Sequence, residues 1–439
     1  MTSQKTLRRV VAAVTAVAVI VLAGCSTQSK KAATPSASGS GTSVSSGRSF
    51  PTTATGVTAD SIKIGVVYPD FSTVKQYVNI DQGDFQASYN AMIAKINAAG
   101  GVNGRKIVPV YGKLDLVSPA NTTQTCVQLT DDDKVFAVIG TFTNPDQPLC
   151  YAQTHKTAVI GGDETAASLA LAQAPWFSTS QGGDAAVAAV DTLSAAGKLT
   201  GKKVAVIAIQ ADQASMEGSA IPELKAKGIT PVATAVITAQ PSDATAMGTQ
   251  MGIAAQKFQS AGADTVLIVG GAGGGYTAFE EHISYRPQLM YTSAADAESY
   301  VTSNGKHDFT TIANALATDP ATSFSDPANL DCMNTIQAAV PGLAGKLTDP
   351  QLAAPGAATP ATSATAACLY LSLFKAIADK AGKDLNYESF QQAGAALGKI
   401  HLPDYTDDAN YTATTPSGAI PERLFAFDPS TNHYVVRSS

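Results

Sequence analysis

The residues of this chain that could do chemistry are sparse, and their spacing argues against catalysis. His155, His282, His307, His401 and His433 have no nucleophile in an evident partnership. No G-x-S-x-G elbow is present to hold a serine above a sheet. Gly270-Gly271-Ala272-Gly273-Gly274-Gly275-Tyr276 invites a nucleotide-binding reading. Begun at Gly271, however, the run lacks the last glycine of G-x-G-x-x-G, and no Lys-Ser/Thr pair follows for a P-loop. Such a loop instead lets backbone approach a ligand or a hinge, with Tyr276 available to stack. The chain has no CxxC and no zinc-like Cys/His spacing, so neither a metal nor a cofactor is expected. Thr143 and Asn144 follow an apolar run; they can donate hydrogen bonds to a solute or cap a helix before Pro145.

The N-terminus fixes the compartment. Lys5, Arg8 and Arg9 precede an apolar run from Val10 to Leu22, the pattern of a secretory signal peptide. The run ends in Leu22-Ala23-Gly24-Cys25, which resembles a bacterial lipobox; that resemblance implies cleavage before Cys25 and acylation of its thiol and amine. The expected order is a signal peptide over 1–24 and a flexible tether over 25–57, rich in Ser, Thr, Ala, Gly and Pro. Removing residues 1–24 takes away three basic groups and no acidic ones, so the net charge goes from −6 to −9. An acidic surface without a basic run excludes a nucleic-acid partner. With Cys25 acylated, Cys126, Cys150, Cys332 and Cys368 remain. An even number outside the cytoplasm suggests two disulfides. Proximity favours 126–150 and 332–368, although the sequence permits three pairings.

Residues 58–439 must supply the elements that position any site. Ser61–Tyr68, Lys106–Tyr111, Val135–Gly140 and Thr157–Ile160 read as strands. Between them lie helices, the first with Phe85, Tyr89, Met92, Ile93 and Ile96 on one face and Gly100-Gly101 as its stop. After Trp176-Phe177 the alternation restarts. Helices are expected over 183–196, from about Leu224 to Gly228, over 247–261 and over 277–283; strands are expected over 203–209, 230–237, 264–269 and 288–291. Residues 341–366 read as loop, 367–381 as an amphipathic helix, and 423–427 with 433–437 as a hairpin. This is α/β patterning, with parallel sheets flanked by helices.

One segment resembles a known family. Ile96-Asn97-Ala98-Ala99-Gly100-Gly101-Val102-Asn103-Gly104-Arg105-Lys106-Ile107 is similar to a stretch of the type I periplasmic binding proteins, which include branched-chain amino acid, amide and urea receptors of ABC importers. The resemblance implies two Rossmann-like lobes joined by a multi-crossing hinge. Lobe one would hold 58–177 and 300–400 and lobe two 178–299, with 401–439 returning near lobe two. The ligand would sit between the lobes, outside the carboxyl ends of the strands.

The resemblance also places candidate ligand contacts. Thr143 and Asn144 stand where relatives carry adjacent serines for a ligand carboxylate. Thr165 matches a ligand-binding threonine. Asp163 and Glu164 replace small residues; they either cap or face solvent, or favour a basic or hydroxyl-rich ligand. Asp81 and Asp212 lie near further contact positions. Met216 and Glu217 stand where relatives place an aromatic residue on the ligand. Ser293 occupies the place of an acid for the ligand amine, and Asp296 follows three residues later. These departures make a standard branched-chain amino acid an unexpected ligand. A cystine in the first lobe is common among relatives, but here Cys150 falls later, on the helix after the polar loop. The implied function is a lipid-anchored solute receptor that delivers a small polar metabolite to an ABC permease. A ligand-sensing lipoprotein is the alternative, and a secreted hydrolase the remote one.

Overall fold

The computed structural model describes residues 50–437 apart from 75–79, 181–182, 240–242, 304–305 and 355–356. The expected signal peptide, Cys25 and the tether up to residue 49 lie outside the described residues; residues 50–57, expected as tether, are instead docked on lobe one, with Phe50 buried in its core and Tyr387 N–H donating to the Thr53 carbonyl. Two sheets organise the rest. The first contains β1 (Ser61–Asp70), β2 (Lys106–Asp115), β3 (Ala137–Gly140), β4 (Ala158–Ile160) and β5 (Trp176–Phe177), all parallel, in the order β2-β1-β3-β4-β5. The second contains β6 (Val204–Ile209), β7 (Ala233–Ile237), β8 (Thr265–Val269), β9 (Gln288–Tyr291) and β10 (Leu316–Pro320), also parallel. A small pair, β11 (Gly398–Ile400) with β12 (Ala409–Tyr411), stands apart. The terminal hairpin, β13 (Glu422–Asp428) and β14 (His433–Val436), extends the second sheet antiparallel beside β10. Strands such as β6 and β8 are continuous apolar runs because helices cover both faces of the sheet.

The Gly-Gly turn does what its residues require. Gly101 has φ +71°, and a Cβ there would lie 2.0 Å from the Arg105 carbonyl oxygen, with which the turn closes. Asn103, also left-handed at φ 51°, donates its side-chain amide to the Ala378 carbonyl at 3.1 Å and so ties the turn to the long helix Ala361–Ala381. That helix starts six residues before the expected Ala367, because its first turns are made of small polar residues. It is apolar and long enough to cross a membrane, yet most of it is buried in the core of lobe one. Cys332–Cys368 ties it to the helix Pro327–Ala339, with Cα atoms 6.0 Å apart. Cys126–Cys150 joins the helix Pro119–Val127 to the turns after Gln147, at 6.4 Å.

Two expectations about organisation need correction. Residues 300–320 were assigned to lobe one, but β10 pairs with β9 in the second sheet, and Val301, Ile312 and Ala317 belong to the second core. The Asp319-Pro320 end of this short strand hides its strand character. Conversely, residues 402–420 pack chiefly into lobe one, where Leu402, Ala409, Tyr411 and Ile420 are buried in the core, while Asp407 reaches Arg423 of β13 at the hinge. The helices Ala294–Val301, Pro327–Ala339 and Tyr387–Ala395 were missed, although Ser293, Asp326 and Asn386 each cap one of them with a side-chain bond.

Candidate functional site

Loops at the carboxyl ends of both sheets carry nearly all the candidate residues, as open α/β sheets dictate. Three crossings join the lobes. The first leaves β5 through Ser178–Ser180, the second runs from β10 through Ala321–Ser323, and the third connects β12 to β13. They are bonded together: Ser178 N–H donates to the Pro416 carbonyl at 3.1 Å, and Thr406 N–H to the Ala321 carbonyl at 2.9 Å. Tyr411 Oη donates to the Ser178 carbonyl at 2.8 Å.

On the lobe-one side the polar groups largely satisfy one another. Gln147 Oε1 accepts from Thr143 N–H at 2.8 Å, and Gln147 Nε2 donates to Thr143 Oγ1 at 2.8 Å. Asn144 Oδ1 accepts from Asp146 N–H at 2.9 Å. Pro145 does not open a helix; the helical turn starts at Gln147. Thr165 caps the helix Ala166–Leu171 in a reciprocal box: Ser168 N–H donates to Thr165 Oγ1 at 3.0 Å, and Thr165 N–H to Ser168 Oγ at 2.9 Å. Asp163 is exposed and accepts from Ser180 Oγ, linking lobe one to the first crossing. Glu164 is not solvated: it is 2% exposed, with Tyr411 nearby. Asp81 is exposed, caps Gly83 N–H at 2.9 Å, and accepts Thr359 N–H through its carbonyl.

Lobe two supplies carboxylates in a different setting. Asp212 Oδ2 accepts from Gly271 N–H at 2.9 Å. Gly270, at φ +63°, lets this loop close, since a Cβ there would lie 2.3 Å from the Asp212 carboxyl carbon. Burial lifts the Asp212 carboxyl above the ordinary carboxylate range against the Gly271 bond, and Asp163 lifts it further. Ser293 caps the helix Ala294–Val301 and donates from Oγ to Asp319 Oδ2 at 3.2 Å; Ala295 N–H donates to the same oxygen at 3.2 Å. Burial nevertheless keeps the Asp319 carboxyl raised. Asp296 is pushed up to about 6, first by burial and then by the Asp212, Asp319 and Asp163 carboxylates. Glu422 rises to about 9 through burial and the Asp319 charge. Asp163 from lobe one thus acts electrostatically on Asp212 and Asp296 from lobe two. Among the described residues no lysine, arginine or histidine pairs with Asp163, Asp212, Asp296 or Asp319.

One candidate lies elsewhere. Tyr276 is fully buried in the second core, 6.2 Å from the Phe258 ring and beside Glu280, so it is not a stacking platform. Met216 is likewise core at 1% exposure, and Glu217 points outward to Gln213 Nε2 at 2.8 Å. The sequence reading overlooked Asp319, Tyr370 and Tyr405. Tyr370 bonds Thr141 through its side chain and feels the Asp163 charge; Tyr405 bonds Thr179 and feels Asp319. Tyr370 was hidden in an apolar helix face and Tyr405 in irregular chain. The signal for Asp319 was its place at the end of β10, which was itself missed.

The architecture recurs in solved structures. A substrate-binding protein from Desulfitobacterium hafniense in complex with Leu aligns at a TM-score of 0.56 and 17% identity, covering 86% of this chain and 100% of that one. A solute-binding protein from R. palustris in complex with 4-hydroxybenzoate gives 0.59 and 18%, over 87% and 96%. A fatty acid ABC transporter substrate-binding protein from Thermomonospora curvata gives 0.58 and 15%, over 89% and 93%. No curated protein matches the chain. Residues 61–414 match the periplasmic binding protein family model. With two α/β lobes, a three-crossing hinge and a cleft at the strand ends, the chain belongs to the periplasmic binding protein family, whose members work outside the cytoplasm and bind ligands rather than transform them.

Proposed function

We propose that this protein is a lipid-anchored solute receptor of an ABC importer that captures a small, positively charged polar metabolite between its lobes and presents it to the permease. The observation that carries the ligand class is the group of four carboxylates, Asp163, Asp212, Asp296 and Asp319, drawn from both lobes without a cationic partner among the described residues. Burial and then the neighbouring carboxylates raise Asp296 to about 6, a cost that a bound cation would relieve. Opposed carboxylates also resist closure when the cleft is empty. A cation between them would remove that resistance and favour the closed form that a permease reads. Thr143 and Thr165 hold the lobe-one wall in shape through Gln147 and Ser168. Cys25 supplies the membrane attachment, and residues 26–49 its reach.

The cleft is tested by thermal shift and calorimetry with agmatine, putrescine, arginine and lysine, set against citrulline, glutamate and leucine. A ligand that binds only the native state raises Tm. The cationic set should stabilise the protein and the neutral and acidic set should not. Stabilisation by leucine or glutamate alone would overturn the ligand class. Globomycin-sensitive processing and labelling of Cys25 by palmitate test the anchor.

A further inference from the structure

A second cavity of about 350 Å³ opens in lobe one beside the hinge, within the size range of ordinary small-molecule sites. One wall is a single face of the helix Ala361–Ala381, where Thr362, Thr365, Ala366 and Leu369 recur at helical spacing. Phe324, just after the second crossing, and Tyr370 add aromatic residues to the lining. Two carboxylates, Asp349 and Asp404, stand at its polar edge, and no basic residue lines it. Among the described residues the Asp404 carboxylate takes no hydrogen bond, whereas Asp349 Oδ1 accepts only Gln351 N–H, at 2.9 Å. Burial, followed by the Asp349 and Asp326 charges, lifts Asp404 to about 6.

We propose that this cavity is a second ligand site, separate from the interlobe cleft, that takes a small primary ammonium carrying an apolar body about the size of a phenyl ring. The ammonium would sit between Asp349 and Asp404, with the Thr365 hydroxyl as a further acceptor. The apolar body would lie against Phe324, Leu369 and the Tyr370 ring. A cation there neutralises two carboxylates whose charges act on one another beside apolar surface. Tyr370 connects the two sites: it lines this cavity, and its hydroxyl meets Thr141 at the cleft.

The position links occupancy to hinge geometry. Thr322 forms a bridge with Tyr405, and Ser323 N–H donates to the Asp404 carbonyl at 2.7 Å. A ligand bound to Asp404 and packed on Phe324 therefore grips the second crossing and the β11–β12 loop bonded to it. Its binding differs between open and closed forms to the extent that this segment moves, and it biases closure by that difference.

The test uses the acylated or tether-intact protein, 2-phenylethylammonium as the probe and 2-phenylethanol as its uncharged counterpart. Calorimetric titration of the wild type should show saturable binding of the amine and none of the alcohol. Asp404→Asn keeps a residue type that tolerates the φ of +77° found there, and Asp349→Asn keeps the acceptor for Gln351. Each substitution should weaken the amine by about tenfold or more, the loss of one charged partner. Ala366→Phe, which fills the cavity from the helix face, should abolish binding. The double variant Asp163→Asn, Asp296→Asn should retain it. If the wild type binds no amine at millimolar concentration, or binds the alcohol equally well, the proposal fails. It also fails if the cleft variant loses the amine while Asp404→Asn, Asp349→Asn and Ala366→Phe keep it. Neither failure touches the cleft reading, which rests on other residues.

Discussion

The two rims of the cleft solve different problems. On lobe one, Thr143 and Thr165 spend their hydroxyls on Gln147 and Ser168, so the loops after β3 and β4 are set before any ligand arrives. On lobe two, Asp212, Asp296 and Asp319 are held in place by Gly271, Ser293 and Ala295 but lack a counter-charge, and the surrounding protein raises their affinity for protons. The contrast teaches a division of labour. One lobe supplies shape at low electrostatic cost, and the other supplies charge whose cost is relieved only on binding. A receptor built this way closes on charge and is aligned by shape.

The largest effect should come from removing lobe-two charge. Asp212→Asn with Asp296→Asn should weaken a cationic ligand by about a hundredfold, since hydrogen bonds to charged groups are worth roughly 1.5–3 kcal/mol each. Calorimetry with unchanged affinity would break the comparison outright. Next comes pH. As pH falls from 7 to 5, Asp296 takes up a proton near 6, and cation affinity should drop several-fold. Stability of the ligand-free protein should move the other way. Asp296 binds its proton more readily folded than unfolded, so its contribution is greatest at low pH and is lost as pH rises from its ordinary value through about 6. Melts of wild type against Asp296→Asn would read that opposition.

Glu280 provides a control within the same lobe. It is fully buried away from the cleft beside Tyr276, and burial pushes it up to about 8. The folded protein keeps it protonated well above the pH at which the unfolded chain ionises. Stability should therefore fall between the ordinary glutamate range and about 8, by roughly 1.4 kcal/mol per pH unit at most. Glu280→Gln should flatten that slope and leave ligand affinity alone; a change in affinity would place charge outside the cleft in the binding balance. The smallest effect belongs to lobe one. Thr165→Val breaks the capping box and should cost about 1 kcal/mol of stability, with affinity within about threefold. A larger loss of affinity, at matched stability, would give Thr165 direct contact with the ligand.

Much of this was legible in the chain. The Gly100-Gly101 stop, the Asn103-Gly104 turn and the apolar strands marked the α/β alternation, because backbone conformation and periodicity are local. The positions of Asp163, Asp212 and Asp296 were pointed to by the resemblance rather than by local pattern, Asp296 lying in the first turn of an unexpected helix. Tyr276 was misread because a tyrosine after a glycine run looks like a ligand platform. Only packing against Phe258 and Glu280 shows that its helix turns it inward.

The sequence by itself determined the element types, the restart after Phe177 and an acidic, non-catalytic inventory. Those follow from hydrophobic period, turn residues and residue chemistry, all readable within short windows. Only the tertiary structure decided that residues up to 320 belong to the second sheet and that 402–420 return to the first core. It alone brought Asp319, some 150 residues along the chain from Asp163, into the same carboxylate group. Register and lobe closure are set by packing between distant segments, and electrostatic coupling depends on distance in space rather than along the chain.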